Sequence, residues 1–233
     1  MRALITGASK GIGAAIANEL AEHAEALVLV ARSADLLADL AAELANTHEK
    51  CRLIVQAIDI TSERAVHDLF DLVEHELGGL DVLVNCAGMA IPPTAVRETS
   101  LEVWESIFAV NATAPFLMTK TAIPLLRRSD QASIVNIAST AGTSARPGWS
   151  AYAASKAALV NFSNTMAEEL KPDRINVHCL APGRTATELR RLLAPDEDPA
   201  TIMQPEAVAR IVSFLVTADG DVLKGQTITV RGE

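Results

Sequence analysis

The chain has 233 residues, 49% of them hydrophobic and 21% charged, which is enough apolar side chain to fill the core of one α/β domain and too little polarity for disorder. Its net charge of −9 is scattered without runs of like sign, which argues against nucleic acid or an anionic membrane as partner, and no apolar stretch approaches the roughly 20 residues that span a bilayer. Cys51, Cys86 and Cys179 are odd in number, far apart and without metal spacing, and read as reduced core thiols of a cytoplasmic protein.

Residues 3–6 form a short apolar strand that begins almost at once and leaves no room for a signal peptide. It runs into Gly7-Ala8-Ser9-Lys10-Gly11-Ile12-Gly13, after which a helix is predicted over 14–23 with Ile16 and Leu20 on its buried stripe. Glycines at a strand-to-helix turn allow tight backbone and let a phosphate approach the amides of the helix N-terminus. The spacing here is G-x-x-x-G-x-G, not the G-x-G-x-x-G of the general dinucleotide fingerprint. A second strand, 26–31, is followed by Arg32-Ser33 and a helix over 34–46. A third, 52–58, ends at Asp59-Ile60-Thr61 and precedes a helix over 62–77, where Val66, Leu69, Phe70 and Val73 have helical spacing. The fourth, 81–84, runs into Asn85-Cys86-Ala87-Gly88, a turn at the carboxyl end of a strand, where open α/β sheets bind ligands.

A long helix is predicted over 101–128, with Asn111 and Pro115 in its interior. An interior proline costs about 3 kcal/mol, so a kink is expected there, leaving backbone groups free to bind water. The fifth strand, 133–138, leads to Ser139, and the helix carrying Tyr152 ends before Pro172. A sixth strand, 175–181, leads into Pro182-Gly183-Arg184-Thr185-Ala186-Thr187. After a Pro- and Asp-containing segment, 194–205, come a helix over 206–217 and a last strand over 226–230. A β-α unit repeated six times with a closing strand and no linker predicts one α/β domain, 1–233, built as a doubly wound parallel seven-stranded sheet in three layers.

Tyr152, the only tyrosine, stands four residues before Lys156 on a predicted helix, so the two share a face. A free phenol has a pKa of about 10, and a cation on the same face is expected to bring it toward the working range. Ser139, at the mouth of the preceding strand, is placed to hold a substrate oxygen beside the phenol.

Taken together, these motifs resemble the short-chain dehydrogenase/reductase family, with its single Rossmann-type domain, over nearly the whole chain. The resemblance places Gly7, Ser9, Lys10, Gly11, Ile12 and Gly13 in the cofactor loop. It assigns Asp59 to the adenine amino group, Ile60 to the adenine ring, and Asn85, Ala87 and Gly88 to the family's N-N-A-G turn, with Cys86 replacing its second asparagine. Pro182, Gly183, Thr185 and Thr187 fall on the nicotinamide-side loop, where the last contacts the carboxamide. The catalytic tetrad maps onto Asn111, Ser139, Tyr152 and Lys156. In the mechanism it implies, Tyr152 protonates a carbonyl oxygen that Ser139 orients, Lys156 holds the nicotinamide ribose and lowers the tyrosine pKa, and Asn111 anchors a relay water. Departures are Thr185, His178, and Arg231 and Glu233 at the C-terminus.

The implied partner is a small carbonyl or alcohol substrate, with no metal. Met89, Ile91, Pro92, Trp149 and Leu189 suggest an apolar substrate pocket, and the short segment 188–205 an open cleft. The position where NAD-selective enzymes of this fold carry an acidic residue is Ala31, followed by Arg32, so NADP(H) is expected in preference to NAD(H), with Arg32 and Lys10 on the 2′-phosphate. Two other readings stand beside an NADPH-dependent carbonyl reductase: an NAD-dependent alcohol dehydrogenase, and a cofactor-binding regulator without turnover. The tyrosine helix, with Ala151, Ala154, Ala158, Leu159 and Phe162 around its circumference, also predicts a homodimer or homotetramer.

Overall fold

The structure, a computed structural model, describes residues 1–232; the departure at Glu233 lies outside them. Seven strands form one sheet in the order β3-β2-β1-β4-β5-β6-β7, and every pairing is parallel. The strands are β1 (Arg2–Thr6), β2 (Ala26–Ala31), β3 (Arg52–Ala57), β4 (Val82–Asn85), β5 (Ala132–Ile137), β6 (Ile175–Pro182) and β7 (Thr227–Val230). The helices are α1 (Gly11–Ala21), α2 (Ala34–Thr47), α3 (Glu63–Leu77), α4 (Leu101–Phe108), α5 (Ala114–Leu126), α6 (Ser150–Glu169), α7 (Glu188–Leu193) and α8 (Pro205–Leu215).

Alternation along each strand explains why the central strands are apolar throughout. Ala3 and Ile5 face the core beneath α1, α2 and α8, whereas Leu4, between them, faces the core beneath α3, α5 and α6. Leu27 and Leu29 alternate with Val28 and Val30 in the same way. Both faces are therefore covered, and the three layers follow. Strand order reverses between β1 and β4, which opens a crevice at their carboxyl ends.

Several boundaries differ from expectation for local reasons. Helix α1 starts at Gly11 rather than 14, so the last two loop glycines already belong to its first turn. The helix predicted over 101–128 is α4 and α5 joined by a π-helical turn, Ala109–Thr113, in which the Ala114 amide donates to Ala109 O. Pro115 lies in the first turn of α5, where its missing N–H withdraws one donor from the turn holding Val110 and Asn111. Helix α8 runs from Pro205 to Leu215, with proline at its first position. Helix α7 was not predicted; Thr187 caps it by accepting from the Arg190 amide at 3.1 Å.

Candidate active site

A cleft runs across the carboxyl ends of β1, β2 and β4. Gly7, Ser9, Lys10, Gly11, Ile12 and Gly13 wall one side, Arg32, Asp59 and Ile60 the far end, and Ala87 and Gly88 the middle. Tyr152, Lys156 and Thr187 close the near end. The glycines are required by contact as well as by conformation. Gly7 has φ +68°, and a Cβ there would lie 2.7 Å from Ala87 Cα; one at Gly13 would lie 2.1 Å from Gly7 O. The first loop thus packs backbone to backbone against the Asn85–Gly88 turn and leaves a cradle no side chain fills. Thr6 ties the two loops together, its hydroxyl accepting from the amides of Cys86 (3.1 Å) and Ala87 (3.2 Å). Thr6 opens the loop motif in the sequence, but this tie is not legible there, because a threonine ending a strand carries no signal of a partner 80 residues on.

At the far end, the Thr61 amide and hydroxyl donate to Asp59 Oδ1 at 2.9 and 2.8 Å. These bonds, helped by Arg32, hold the Asp59 carboxyl below the usual range and keep it an acceptor. Arg32 and Ser33 are exposed beside it. Lys10 is engaged elsewhere: its ammonium pairs with Glu188 at the start of α7, across the cleft, and not with the Arg32 end. Asn85 is not a wall of the cleft. It is buried, donating from Nδ2 to Asn136 Oδ1 at 2.8 Å and to Thr119 at 3.3 Å, while Asn136 donates to Ser163 at 2.9 Å. This buried chain braces β4, β5 and α6 behind the turn.

Tyr152 and Lys156 share a face of α6 and are buried, 8% and 3% exposed. Burial pushes the Tyr152 phenol up; the Ser139 hydroxyl and, more weakly, the Arg190 guanidinium pull it down. The expectation that Lys156 sets the tyrosine pKa is not met here. Its ammonium turns to β5, donating to Ile137 O at 2.8 Å, and burial lowers its own pKa to about 8. Four-residue spacing gave the shared face but not the burial, which pushes each group toward its neutral form. The Cys86 thiol is likewise pushed up to about 12 by burial and stays protonated.

Asn111 is wholly buried in the π turn and acts as a brace. Its Oδ1 accepts from the Met89 amide at 2.8 Å, and its Nδ2 donates to Met89 O and to Ser155 Oγ, both at 2.9 Å. Ser155 in turn donates to Tyr152 O at 2.8 Å. The loop after β4 and α6 are thereby tied to one amide. Ser155 was not singled out from sequence, although it lies inside the Y-A-A-S-K motif.

Beyond Tyr152 a second cavity of about 280 Å³ is bounded by Ser139, Trp149, Leu189 and Leu193, and by Pro182, Gly183, Thr185 and Thr187 on the β6 side. Ser139 Oγ accepts from the Ala141 amide at 3.1 Å, so its own proton is left to point elsewhere. The expected apolar character holds for Trp149 and Leu189 only; Met89, Ile91 and Pro92 do not line it, and Arg146, Arg184 and Arg190 do. Among the described residues no cluster of His, Cys, Asp and Glu is arranged to hold a metal, and no helix is long and apolar enough to cross a membrane.

Residues 1–198 match the family model described as short chain dehydrogenase. The human protein named dehydrogenase/reductase SDR family member 4 is 35% identical over 99% of this chain and 86% of its own length. A short chain dehydrogenase from Escherichia coli, crystallised with NADPH, superposes with a TM-score of 0.91 at 28% identity, covering 98% of this chain and 95% of that one. A 3-ketoacyl-(acyl-carrier-protein) reductase from Brucella melitensis, complexed with NADH, gives 0.90 at 28% identity, covering 98% and 96%. The chain belongs to the short-chain dehydrogenase/reductase family and is an oxidoreductase with a nucleotide cofactor.

Proposed function

We propose that the protein is an NADPH-dependent reductase of a ketone or aldehyde, with Tyr152 as the proton donor. The observation that carries this reading is the convergence of the glycine-walled cleft on the buried Tyr152–Lys156 face of α6. The unfilled cradle made by Gly7 and Gly13 fits a dinucleotide's phosphates, and Asp59 and Ile60 would hold the adenine. When bound, the nicotinamide supplies the hydride. Tyr152 gives its proton to the carbonyl oxygen, and its raised pKa keeps that proton in place at neutral pH until the oxygen needs it. Ser139, whose oxygen is held by the Ala141 amide, directs its hydroxyl proton at the same oxygen. Lys156, still largely charged at neutral pH, would hold the nicotinamide ribose. Asn111 has its side chain committed to Met89 and Ser155, so a relay water there would bind the main-chain groups that the π turn and Pro115 release. Pro182, Gly183, Thr185 and Thr187 would flank the nicotinamide.

Preference for NADPH rests on Arg32, exposed at the adenosine end, and on the lack of a carboxylate at Ala31. Lys10 adds to it only by leaving Glu188. Self-association is supported by Phe116, 45% exposed on α5, which meets Phe162 of α6 edge-on at 6.4 Å.

The test is reduced-cofactor oxidation across ketones, aldehydes, steroids and acyl thioesters. NADPH should be favoured over NADH by about tenfold or more in kcat/KM, the effect of one charge-assisted bond. Tyr152→Phe should fold, bind cofactor and lose about 10²–10⁴-fold in turnover. Equal use of both cofactors would sink the NADPH assignment, and a near wild-type Tyr152→Phe would sink the proton donor.

A further inference from the structure

The cavity beyond Tyr152 inverts the charge of the molecule around it. The chain has 29 acidic and 20 basic residues, yet Arg146, Arg184 and Arg190 line this cavity and, among the described residues, no aspartate or glutamate does. One carboxylate, Glu197, stands behind two of them: Arg190 Nη2 donates to it at 2.8 Å and Arg184 Nη1 at 3.3 Å. Arg146 has no carboxylate partner among the described residues; its guanidinium reaches only its neighbour's carbonyl, Ala145 O, at 3.4 Å. Among the described residues, three guanidiniums against one carboxylate leave a surplus of positive charge facing the cavity.

Position gives that surplus a use. The Arg190 guanidinium lies 5.6 Å from the centre of the Trp149 ring, and Trp149 meets the Tyr152 ring edge-on at 6.2 Å. The cation is therefore one aromatic ring away from the phenol, close enough that it favours the phenolate. Glu197 engages Nε and Nη2 of Arg190, and no described bond occupies Nη1. Arg146 is joined to the same wall, its carbonyl accepting from the Trp149 amide at 3.0 Å. A planar fork with spare donors beside a planar aromatic wall suits a carboxylate.

We propose that the substrate is a small oxo acid, whose carboxylate is held by Arg146 and Arg190 while its carbonyl faces Tyr152 and Ser139. The cavity volume of about 280 Å³, part of which the nicotinamide would take, suits an anion a few bonds from the carbonyl and not at the end of a long arm. The inference deepens the reductase reading and rests on it for the chemistry, though the binding of the anion does not.

The experiment keeps the two apart by reading binding and turnover separately. Trp149 fluorescence, in a Trp104→Phe background, is titrated with acetoacetate and levulinate and with their methyl esters, in the NADP⁺-saturated protein. The acids should bind up to about fivefold more tightly than the esters, as expected for one partly exposed charge pair. Arg146→Gln and Arg190→Gln should each remove most of that difference. Arg146 is exposed, so its variant reports even if loss of the Arg190–Glu197 pair unsettles α7. In turnover the same preference should appear as a lower KM for the acids. Binding of neither acid, equal binding of acid and ester, or an Arg146→Gln protein that keeps the preference overturns the proposal. Ester reduction with no preference for acids leaves the reductase standing and refutes the anion site. Selective binding of acids with no cofactor oxidation does the reverse.

Discussion

Lys156→Met should inactivate the enzyme and yet leave the cofactor-free protein at least as stable as the wild type at neutral pH. Lys156 is 3% exposed, and desolvation takes its pKa from 10.5 to about 8. At about 1.4 kcal/mol per pH unit, keeping the ammonium charged inside costs on the order of 3 kcal/mol, which a methionine of similar length does not incur. Against this stands one hydrogen bond, Nζ to Ile137 O at 2.8 Å. Losing it and leaving the carbonyl unpaired costs about 1–3 kcal/mol. The difference favours methionine by about 1 kcal/mol. The pH dependence has a definite sign. A folded pKa below the unfolded one means that the unfolded chain binds the proton more tightly between pH 8 and 10.5, so wild-type stability rises with pH across that window. Urea unfolding of both proteins should therefore show the advantage of the variant below pH 8 and its loss as pH approaches 10.5. A variant clearly less stable at neutral pH, or a difference that does not move with pH, would refute the reasoning.

Arg32→Ala should reduce kcat/KM with NADPH by about tenfold and leave NADH nearly unchanged, while Ala31→Asp should move the preference toward NADH. Glu188→Gln releases Lys10 from its partner across the cleft and should tighten NADPH more than NADH in a binding titration. Gly142→Ala would set a Cβ 2.7 Å from the Lys156 carbonyl carbon, backbone that α6 cannot move freely; about 1–3 kcal/mol of stability and much of the turnover should go together in melts and assays. His178 is wholly buried in β6 and burial lowers its pKa, so the unfolded chain takes the proton first: stability should fall as pH drops below the ordinary value of 6.5, and His178→Asn should flatten that limb.

The sheet and the glycine loop were legible because their signals are local. Alternating burial on both faces makes every central strand a short apolar run, and the Gly7–Gly13 loop needs its glycines for contacts that no other residue permits. The break in the long helix was legible from Asn111 and Pro115, though its π form was not: a proline announces a missing donor, not how the neighbouring carbonyls are shared. Helix α7 was hidden by its shortness and polarity; Thr187 followed by Glu188 was the only cue to its start. With α7 went Arg190, and with Arg190 the charge of the cavity beyond Tyr152. The Tyr152–Lys156 pair shows a different limit. Spacing fixes which side chains share a face, whereas pKa depends on how deeply that face is buried, and burial belongs to the three layers together.

The arginines beside the phenol also bear on how anionic ligands reach an acidic protein. A net charge of −9 would repel a dinucleotide and an oxo acid alike if its field acted as a whole. At physiological ionic strength, however, charges further apart than about 8 Å are largely screened, so each ligand responds to what lies within one or two side chains of it. Several acidic residues are spent in ion pairs away from the cleft, among them Glu74 with Arg128, Asp173 with Arg127 and Glu168 with Lys171. Arg32 stands at the far end of the cleft, and Arg146 and Arg190 line the cavity beyond Tyr152. Low salt restores the reach of the acidic surface, so association of an anionic ligand should first gain and then lose as salt is added: screening removes the distant repulsion before it weakens the contacts with the arginines. A neutral ester should show neither limb, which makes the salt profile a second, independent reading of the charge that this cavity holds.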